Sequence, residues 1–190
     1  LVVGIGADGM PGLSVASKAE LRRATVIYGS PRQLDLLDDS VTASRRTWPR
    51  PLVGALHSML DGVDGDVHVV ASGDPLLHGI GSTLIRIHGA DNVAVLPHVS
   101  SVTLACSRVG WSVQDTEIIS LVWHPPHTGV RRGGQAIVLS RDGATPAELA
   151  RLLTDTGRGD SELTILEQLG GPAELMRRST AREWAARPTT

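Results

Sequence analysis

Short runs of apolar, mostly β-branched residues recur along the chain, and each ends in or is soon followed by glycine, serine, proline or aspartate. Because these runs are nearly continuous rather than alternating with polar residues, they predict strands that are covered on both faces, which is typical of a mainly parallel sheet. The predicted strands cover residues 1–5, 25–28, 67–71, 93–96, 117–122, 136–139 and 163–166.

Helical patterns lie between the predicted strands. Ser17 and Glu20 form a capping-box pattern near the start of the first helix. The next two helices are expected over residues 82–88 and Ser101–Val109. The clearest start signal is Thr145, which is expected to be the N-cap of a helix that has Pro146 at its first position and Glu148 reaching back.

This alternation of strand and helix predicts an α/β fold. A break in the pattern at residues 110–114 divides the chain into an N-terminal lobe, residues 1–110, and a C-terminal lobe, residues 111–190. In the second lobe, residues 124–134 contain prolines, glycines and arginines and are expected to form an exposed loop.

Composition excludes several classes of protein. The 190 residues are 41% hydrophobic and 20% charged with a formal net charge of −2, so no basic field favours nucleic acid or an anionic membrane. No apolar run approaches the roughly 20 residues of a membrane span. The single cysteine, Cys106, excludes an internal disulfide and fits a reducing compartment. We therefore expect a cytoplasmic enzyme.

The hexapeptide GIGADG at residues 4–9 matches the G-x-G-x-x-G pattern behind a strand, which is typical of dinucleotide-binding folds. Two details oppose that interpretation. Met10-Pro11-Gly12 follow, so a helix is not expected before Ser14. The second strand ends in Tyr28-Gly29-Ser30 without an acidic residue for a ribose hydroxyl. A nucleotide-dependent oxidoreductase and a plain tight turn remain alternatives.

Two further segments follow buried strands, at the position where open α/β sheets bind ligands. In the segment 71–82, Gly73 allows close backbone approach, and Asp74 either accepts hydrogen bonds from a ligand or caps a turn before Pro75. In the segment 97–101, Ser100 and Ser101 either cap a helix or present hydroxyls to a ligand. The histidines show no metal-ligand spacing, and no metal is expected.

Together these segments resemble the tetrapyrrole (class III) methyltransferases. VVGIGADGMPGLS, VVASGDPLLHGIGSTL, VLPHVSSVTLA and LEQLGGPAE occur in the order of that family, and the resemblance extends over essentially the entire chain. It implies two α/β lobes with S-adenosylmethionine in the cleft between them, and C5 methylation of a precorrin-type tetrapyrrole in cobalamin synthesis. It also implies a homodimer and a fused or associated domain that methylates C15 and removes a carboxyl group.

The resemblance assigns roles to individual residues. The cofactor-binding residues that it implies are Ser72, Gly73, Asp74, Leu77, Ser100, Ser101, Leu169 and Gly170. Ala7-Asp8 stand where the first loop of the family often has Pro-Gly, and His98 stands where glycine is usual. The C-terminal lobe is expected to lack its last strand.

Methyl transfer from a sulfonium requires positioning and exclusion of water more than covalent help from the protein. Asp8 and His78 are the candidates for handling a proton near the reacting carbon. The carboxylates of the macrocycle would favour arginines on loops, and the candidates are Arg45, Arg46, Arg50, Arg131 and Arg132. A module that binds a tetrapyrrole without turning it over is a further alternative.

Overall fold

A computed structural model of the protein describes residues 1–49, 52–57, 63–122, 124–130 and 134–187. The chain divides into two compact units, Leu1–Ser101 with Gly170–Pro172 and Val102–Leu169 with Ala173–Thr190. This division falls before the helix at Ser101–Val109, whereas the predicted lobes divide after it. No helix in the described ranges is long and apolar enough to cross a membrane.

The N-terminal unit contains a five-stranded parallel sheet. Its strands are β1 (Val2–Ile5), β2 (Val26–Gly29), β3 (Ser44–Thr47), β4 (Val67–Ser72) and β5 (Val95–Leu96). They are arranged in the order β3-β2-β4-β1-β5. Val2 of β1 lies in register with Val69 of β4 and with Val95 of β5, so β1 has hydrogen-bonded neighbours on both sides. The predicted parallel sheet is confirmed for this unit.

Apolar side chains cover both faces of this sheet, which explains the continuous apolar runs. On one face Val3 and Ile5 of β1 pack with Leu21, and on the other face Val2 packs with Leu84. Burying a side chain of this size stabilises the fold by roughly 1.5–3 kcal/mol. The helices of this unit are α1 (Gly9–Gly12), α2 (Val15–Arg23), α3 (Pro31–Leu34), α4 (Leu52–Leu56) and α5 (Ile80–His88).

The C-terminal unit combines parallel and antiparallel strand pairs. Its elements are α6 (Ser101–Val109, of which Ser101 belongs to the first unit), β6 (Glu117–Ser120), β7 (Ala136–Leu139), α7 (Thr145–Asp155), β8 (Glu162–Glu167), β9 (Leu175–Thr180) and α8 (Ala181–Ala185). β6 and β7 pair in parallel, whereas β8 and β9 form an antiparallel hairpin. The core of this unit contains Leu149 and Leu153 of α7 and Ala181 of α8.

Two strands were not predicted, because their sequences lack an apolar run. β3 is Ser-Arg-Arg-Thr, an edge strand exposed along its length, and only its backbone pairing with β2 defines it. β9 contains Arg177 and Arg178 and pairs with β8. The C-terminal unit therefore contains one more strand than the apolar runs predicted, and the lack of a last strand in this lobe stays a prediction.

The predicted helix starts need three corrections. The start of α2 near Ser14 is confirmed, but Ser14 and not Ser17 is the N-cap, and it accepts a hydrogen bond from the Ser17 amide at 3.0 Å. Thr145 is the first residue of α7 and Ala144 is its N-cap, and the amide and hydroxyl of Thr145 both donate to the Asp142 carboxylate. The single turn α1 does begin before Ser14, since Pro11 in a first helical turn loses no hydrogen bond.

The segment expected to be an exposed loop contains a short 3₁₀ helix at Pro126–Gly129, and residues 131–133 lie outside the described ranges. Two other 3₁₀ helices are Ala90–Asn92 and Val113–Asp115.

Candidate functional site

Three loops meet at the carboxyl edge of the N-terminal sheet, where the neighbouring strands β4, β1 and β5 end. The amide of Gly73, after β4, donates to the carbonyl of Ile5 at 2.9 Å. The amide of His98, after β5, donates to the carbonyl of Gly73 at 3.3 Å. From β1 the chain moves toward one edge of the sheet to reach β2, and from β4 it moves toward the opposite edge to reach β5. A topological switch point, the usual ligand site of such sheets, therefore lies here.

Gly4 allows these loops to approach one another. A Cβ at this position would overlap the Gly73 carbonyl oxygen and would lie 2.6 Å from the His98 amide nitrogen. The first glycine of the G-x-G-x-x-G pattern is therefore required for packing between β1 and its neighbouring loops. That requirement does not depend on a dinucleotide, which removes one reason for the oxidoreductase alternative.

The loop after β4 is a compact turn. Gly73 has a φ of 55°, a conformation that favours glycine. Asp74 Oδ1 accepts a hydrogen bond from the Leu76 amide at 2.9 Å, and the Asp74 carbonyl accepts one from the Leu77 amide at 3.1 Å. One carboxylate oxygen of Asp74 thus caps the turn, as the alternative interpretation of this residue expects.

The other glycines of this loop serve its own packing. Cβ atoms on Gly79 and Gly81 would lie within 3.1 Å of Pro75 atoms. His78, a candidate for proton handling, is exposed and has a φ of 51°, which few non-glycine residues adopt. No contact with another candidate side chain is found for His78 among the described residues.

Ser72 is already engaged by side chains of α3. Its hydroxyl oxygen accepts from Gln33 Nε2 at 2.9 Å and from Arg32 Nη2 at 3.1 Å. The hydroxyl hydrogen of Ser72 is then the part of the group that can reach a ligand.

The structure brings the loop after β4 together with Ser100 and Ser101. A Cβ on Gly73 would lie 3.1 Å from the Val99 carbonyl oxygen and 3.5 Å from Ser100 Cα. Ser101 is the first residue of α6. Two predicted cofactor segments that are about 25 residues apart in sequence therefore lie side by side.

The loop between β8 and β9 carries the last predicted pair. Gly170 has a φ of 80° and Gln168 a φ of 52°. Gly171 approaches the first loop so closely that a Cβ there would lie 2.8 Å from both the Cβ and the carbonyl oxygen of Ala7. Gly170–Pro172 belongs to the N-terminal unit, whereas Leu169 belongs to the other unit.

Asp8 and His98 face each other at this edge. His98 Nε2 lies 3.3 Å from Asp8 Oδ1, which is an ion-pair distance. Asp8 Oδ1 is buried and makes no hydrogen bond to any described residue, so the contact with His98 is not an aligned hydrogen bond. Sequence reasoning identified both residues as departures from the family pattern but gave no signal that they pair.

The arginine candidates divide into two groups. Arg45 donates to the backbone carbonyls of Leu34 and Asp38, at 3.2 and 2.9 Å, and so braces the turn before β3. Arg46 Nη1 donates to the Tyr28 hydroxyl at 3.2 Å, and its guanidinium lies 5.9 Å from the centre of the Tyr28 ring. Arg50, Arg131 and Arg132 lie outside the described residues.

The polar groups at this edge of the sheet suit a cationic or neutral ligand better than a phosphate. They comprise the carboxylates of Asp8 and Asp74, the backbone carbonyl of Gly73 and the hydroxyl of Ser72, to which Arg32 donates a hydrogen bond. A sulfonium or ammonium group is stabilised by such carboxylates and carbonyls. Within the described ranges, no cluster of His, Cys, Asp and Glu could hold a metal ion.

Comparison with known proteins agrees with this chemistry. Residues 1–185 match the family of tetrapyrrole (corrin/porphyrin) methylases. The chain belongs to this family. It is 68% identical over 189 residues to a precorrin-6Y C(5,15)-methyltransferase [decarboxylating] from Mycobacterium tuberculosis, with 99% of the chain and 48% of that relative covered. The chain thus spans about half the length of that curated relative.

A shorter relative matches along most of its length. The cobalt-precorrin-7 C(5)-methyltransferase of Salmonella typhimurium is 28% identical over 170 residues, which cover 88% of this chain and 84% of that enzyme.

Solved structures of tetrapyrrole methylases share the fold. A precorrin-6Y methylase of cobalamin biosynthesis from Archaeoglobus fulgidus superimposes with a TM-score of 0.69 at 25% identity, covering 95% of this chain and 88% of that one. A uroporphyrin-III C-methyltransferase from Thermus thermophilus, complexed with S-adenosylhomocysteine, gives a TM-score of 0.66 at 19% identity, covering 97% and 84%. The second likeness shows the fold alone.

Proposed function

We propose that this chain transfers a methyl group from S-adenosylmethionine to C5 of a precorrin macrocycle in cobalamin synthesis. The proposal rests on the fraction of each relative's length that the chain matches. It covers 48% of an enzyme named for both C5 and C15, but 84% of an enzyme named for C5 alone. The region common to all three therefore corresponds to C5 methylation.

S-adenosylmethionine is the proposed methyl donor. The uncharged and anionic groups after β4 and β1 fit its sulfonium and amino groups, and the turn at Gly73 allows backbone approach. Ser72, Gly73, Asp74, Leu77, Ser100, Ser101, Leu169 and Gly170 are the residues proposed to hold it. When bound, this cofactor supplies an activated methyl group, so the work of the protein is to orient the reactants and exclude water.

The remaining proposals concern the cellular location, the oligomeric state and a partner domain. We propose a cytoplasmic location, supported by the single cysteine, which is buried and unpaired. We propose a homodimer, which rests on the family resemblance. The greater length of the relative from Mycobacterium tuberculosis supports a fused or associated partner for C15 methylation and decarboxylation.

Calorimetric titration tests the proposed cofactor and separates the alternatives. S-adenosylhomocysteine should bind at one site per chain and raise the melting temperature by mass action on the native state. NADPH is the matched control ligand and should bind no tighter than to an unrelated protein. Binding of NADPH in place of S-adenosylhomocysteine would favour the oxidoreductase, and binding of neither would favour a module that carries a tetrapyrrole without methylating it.

Methyl transfer itself is tested with radiolabelled S-adenosylmethionine and a precorrin intermediate. We expect label in the macrocycle fraction only when both the chain and the precorrin are present. Cofactor binding without any transfer to several precorrin intermediates would contradict the proposed substrate class while leaving the family assignment intact.

A further inference from the structure

Two glycines make room for the contact between Asp8 and His98. A Cβ on Gly6 would lie 2.5 Å from Asp8 Oδ1 and 2.8 Å from His98 Nε2. A Cβ on Gly12 would overlap the Asp8 carboxylate. Any side chain at either position would therefore push the carboxylate out of the loop. The backbone on both sides of Asp8 is shaped so that its carboxylate points inward, toward the imidazole.

This arrangement is costly unless the carboxylate has a partner. Asp8 Oδ1 is buried and has no hydrogen-bond donor among the described residues. Burying even one oxygen of a carboxylate without a hydrogen bond or an opposite charge is unfavourable. His98 Nε2, at 3.3 Å, is the group that can compensate it, and it does so best when the imidazole carries a proton. A proton that His98 takes up during the reaction would therefore be stabilised by the Asp8 carboxylate.

The imidazole is held in place by neighbouring loops. The backbone of His98 is hydrogen bonded to the Gly73 carbonyl, which carries no net charge, and the loop after β1 brings the Asp8 carboxylate. The side chain of His98 is 15% exposed and that of Asp8 is 30% exposed, so the imidazole is neither sealed in the core nor freely solvated. It lies at the same sheet edge as Gly73 and Ser100.

Methylation of a carbon atom leaves a proton to be removed. An electron pair at C5 forms the new carbon–carbon bond, the sulfur–methyl bond breaks and its pair returns to sulfur. The macrocycle has then gained a methyl cation, and it becomes neutral again by losing one proton. A histidine is suited to take that proton near neutral pH.

We propose that His98 accepts the proton that the macrocycle loses on C5 methylation, and that Asp8 orients its imidazole and stabilises the imidazolium. This inference rests on the proposed function. His98 is thus a catalytic residue and Asp8 a positioning residue that acts through it. Asp8, expected to handle a proton itself, instead points into the loop between Gly6, Gly12 and His98.

Kinetics of the full chain test the proposal. His98→Gln should lower kcat for methyl transfer by about 100- to 10,000-fold, the usual contribution of general base catalysis. KM for the precorrin and Kd for S-adenosylhomocysteine should change less than about threefold, because binding is retained. Asp8→Asn, which keeps the shape of the carboxylate, should lower kcat by about tenfold or more. His57→Gln, at an exposed histidine of the same unit, is the matched control and should leave kcat unchanged.

A spectroscopic readout is independent of turnover. In ¹⁵N spectra of the imidazoles, Asp8→Asn should change the His98 signals, because the ring loses the carboxylate that faces its Nε2, and should leave the His57 signals in place. Full activity of folded His98→Gln, or unchanged His98 signals in Asp8→Asn, would overturn the inference. Failure of the proposed function looks different, since the wild-type chain would then methylate no precorrin.

Discussion

Asp74 has one observed role and one proposed role, and substitution can separate them. Its Oδ1 caps the turn after β4 by accepting from the Leu76 amide, whereas a negative charge there is proposed to bind the cofactor. We predict that Asp74→Asn, which keeps an acceptor oxygen for the turn, weakens S-adenosylhomocysteine binding about threefold to thirtyfold with little change in melting temperature. Asp74→Ala should weaken binding further and also lower the melting temperature, because the turn loses its acceptor.

Isothermal titration calorimetry and thermal melts of both variants check this prediction. If Asp74→Asn binds like the wild-type chain and only Asp74→Ala binds weakly, then Asp74 supports the turn alone and the cofactor assignment for its charge is wrong.

Gly4 leads to a second prediction at the scale of single residues. Gly4→Ala should destabilise the fold by about 1–3 kcal/mol, because the added methyl group meets the backbone of two neighbouring loops that cannot withdraw easily. Gly143→Ala is the matched control, since a Cβ there meets nothing within 4 Å, and it should change stability by less than about 0.5 kcal/mol. Urea denaturation measures both variants. Equal stability of the two would show that the loops at the sheet edge tolerate a side chain.

Residue types in the sequence predicted part of this site. Gly73 was identified from its place after a buried strand, where glycine allows close backbone approach, and the structure adds that its φ of 55° favours glycine. The Asp8–His98 contact was not predicted, since two residues 90 positions apart carry no pairing signal in a single sequence. The arginine candidates show the same limit: only the structure reveals that Arg45 is engaged by backbone carbonyls.

At the scale of elements, a partly buried contact between a carboxylate and an imidazole joins α2 to β4. Glu20 Oε2 lies 3.0 Å from Nε2 of His68, whose side chain is almost fully buried, and it also pairs with Arg23. The hydrogen bond from Arg23, followed by that from His68, lowers the pKa of Glu20 from its ordinary value of 4.5. A carboxyl whose pKa is lower in the folded chain stabilises the fold above its unfolded pKa, and this stabilisation is lost as pH falls through its folded pKa.

We therefore predict that the wild-type chain melts at a higher temperature than Glu20→Gln at pH 6, and that the difference shrinks as the pH falls below about 4.5. Thermal melts between pH 6 and pH 3 measure the difference. Glu167→Gln, at the exposed end of β8, controls for the loss of one negative charge. A difference that stays constant down to pH 3 would contradict the pairing of Glu20 in the folded chain.

Hydrophobic patterning predicted the strands that contain apolar runs and failed for those that lack them. All seven apolar runs form or overlap strands, and in the N-terminal sheet the reason is that apolar side chains cover both faces. β3 and β9 are defined by backbone pairing and expose most of their side chains, so their sequences carry no apolar signal. Helix starts were misplaced where a nearby side chain such as Asp142 competed for the same amides.

At the scale of the whole molecule, the family resemblance supplied what pattern alone could not. Apolar periodicity indicates an α/β fold, and many unrelated functions use such folds. Four separated motifs in a fixed order identified the methylase family, and residues 1–185 match it. The division into two compact units at Ser101 also depends on tertiary contacts that no local pattern encodes.

The last prediction concerns how many reactions these 190 residues perform. The relative from Mycobacterium tuberculosis is named for methylation at C5 and C15 with decarboxylation, and the chain matches 48% of its length. Methylation at a second position would need its own binding site, normally a domain of about 100–200 residues. We predict that the 190-residue chain adds one methyl group to a precorrin and releases no carbon dioxide. Mass spectrometry of the macrocycle after incubation with S-adenosylmethionine measures both events. A product with two added methyl groups, or one that has lost a carboxyl group, would show that a single tetrapyrrole methylase domain performs both reactions.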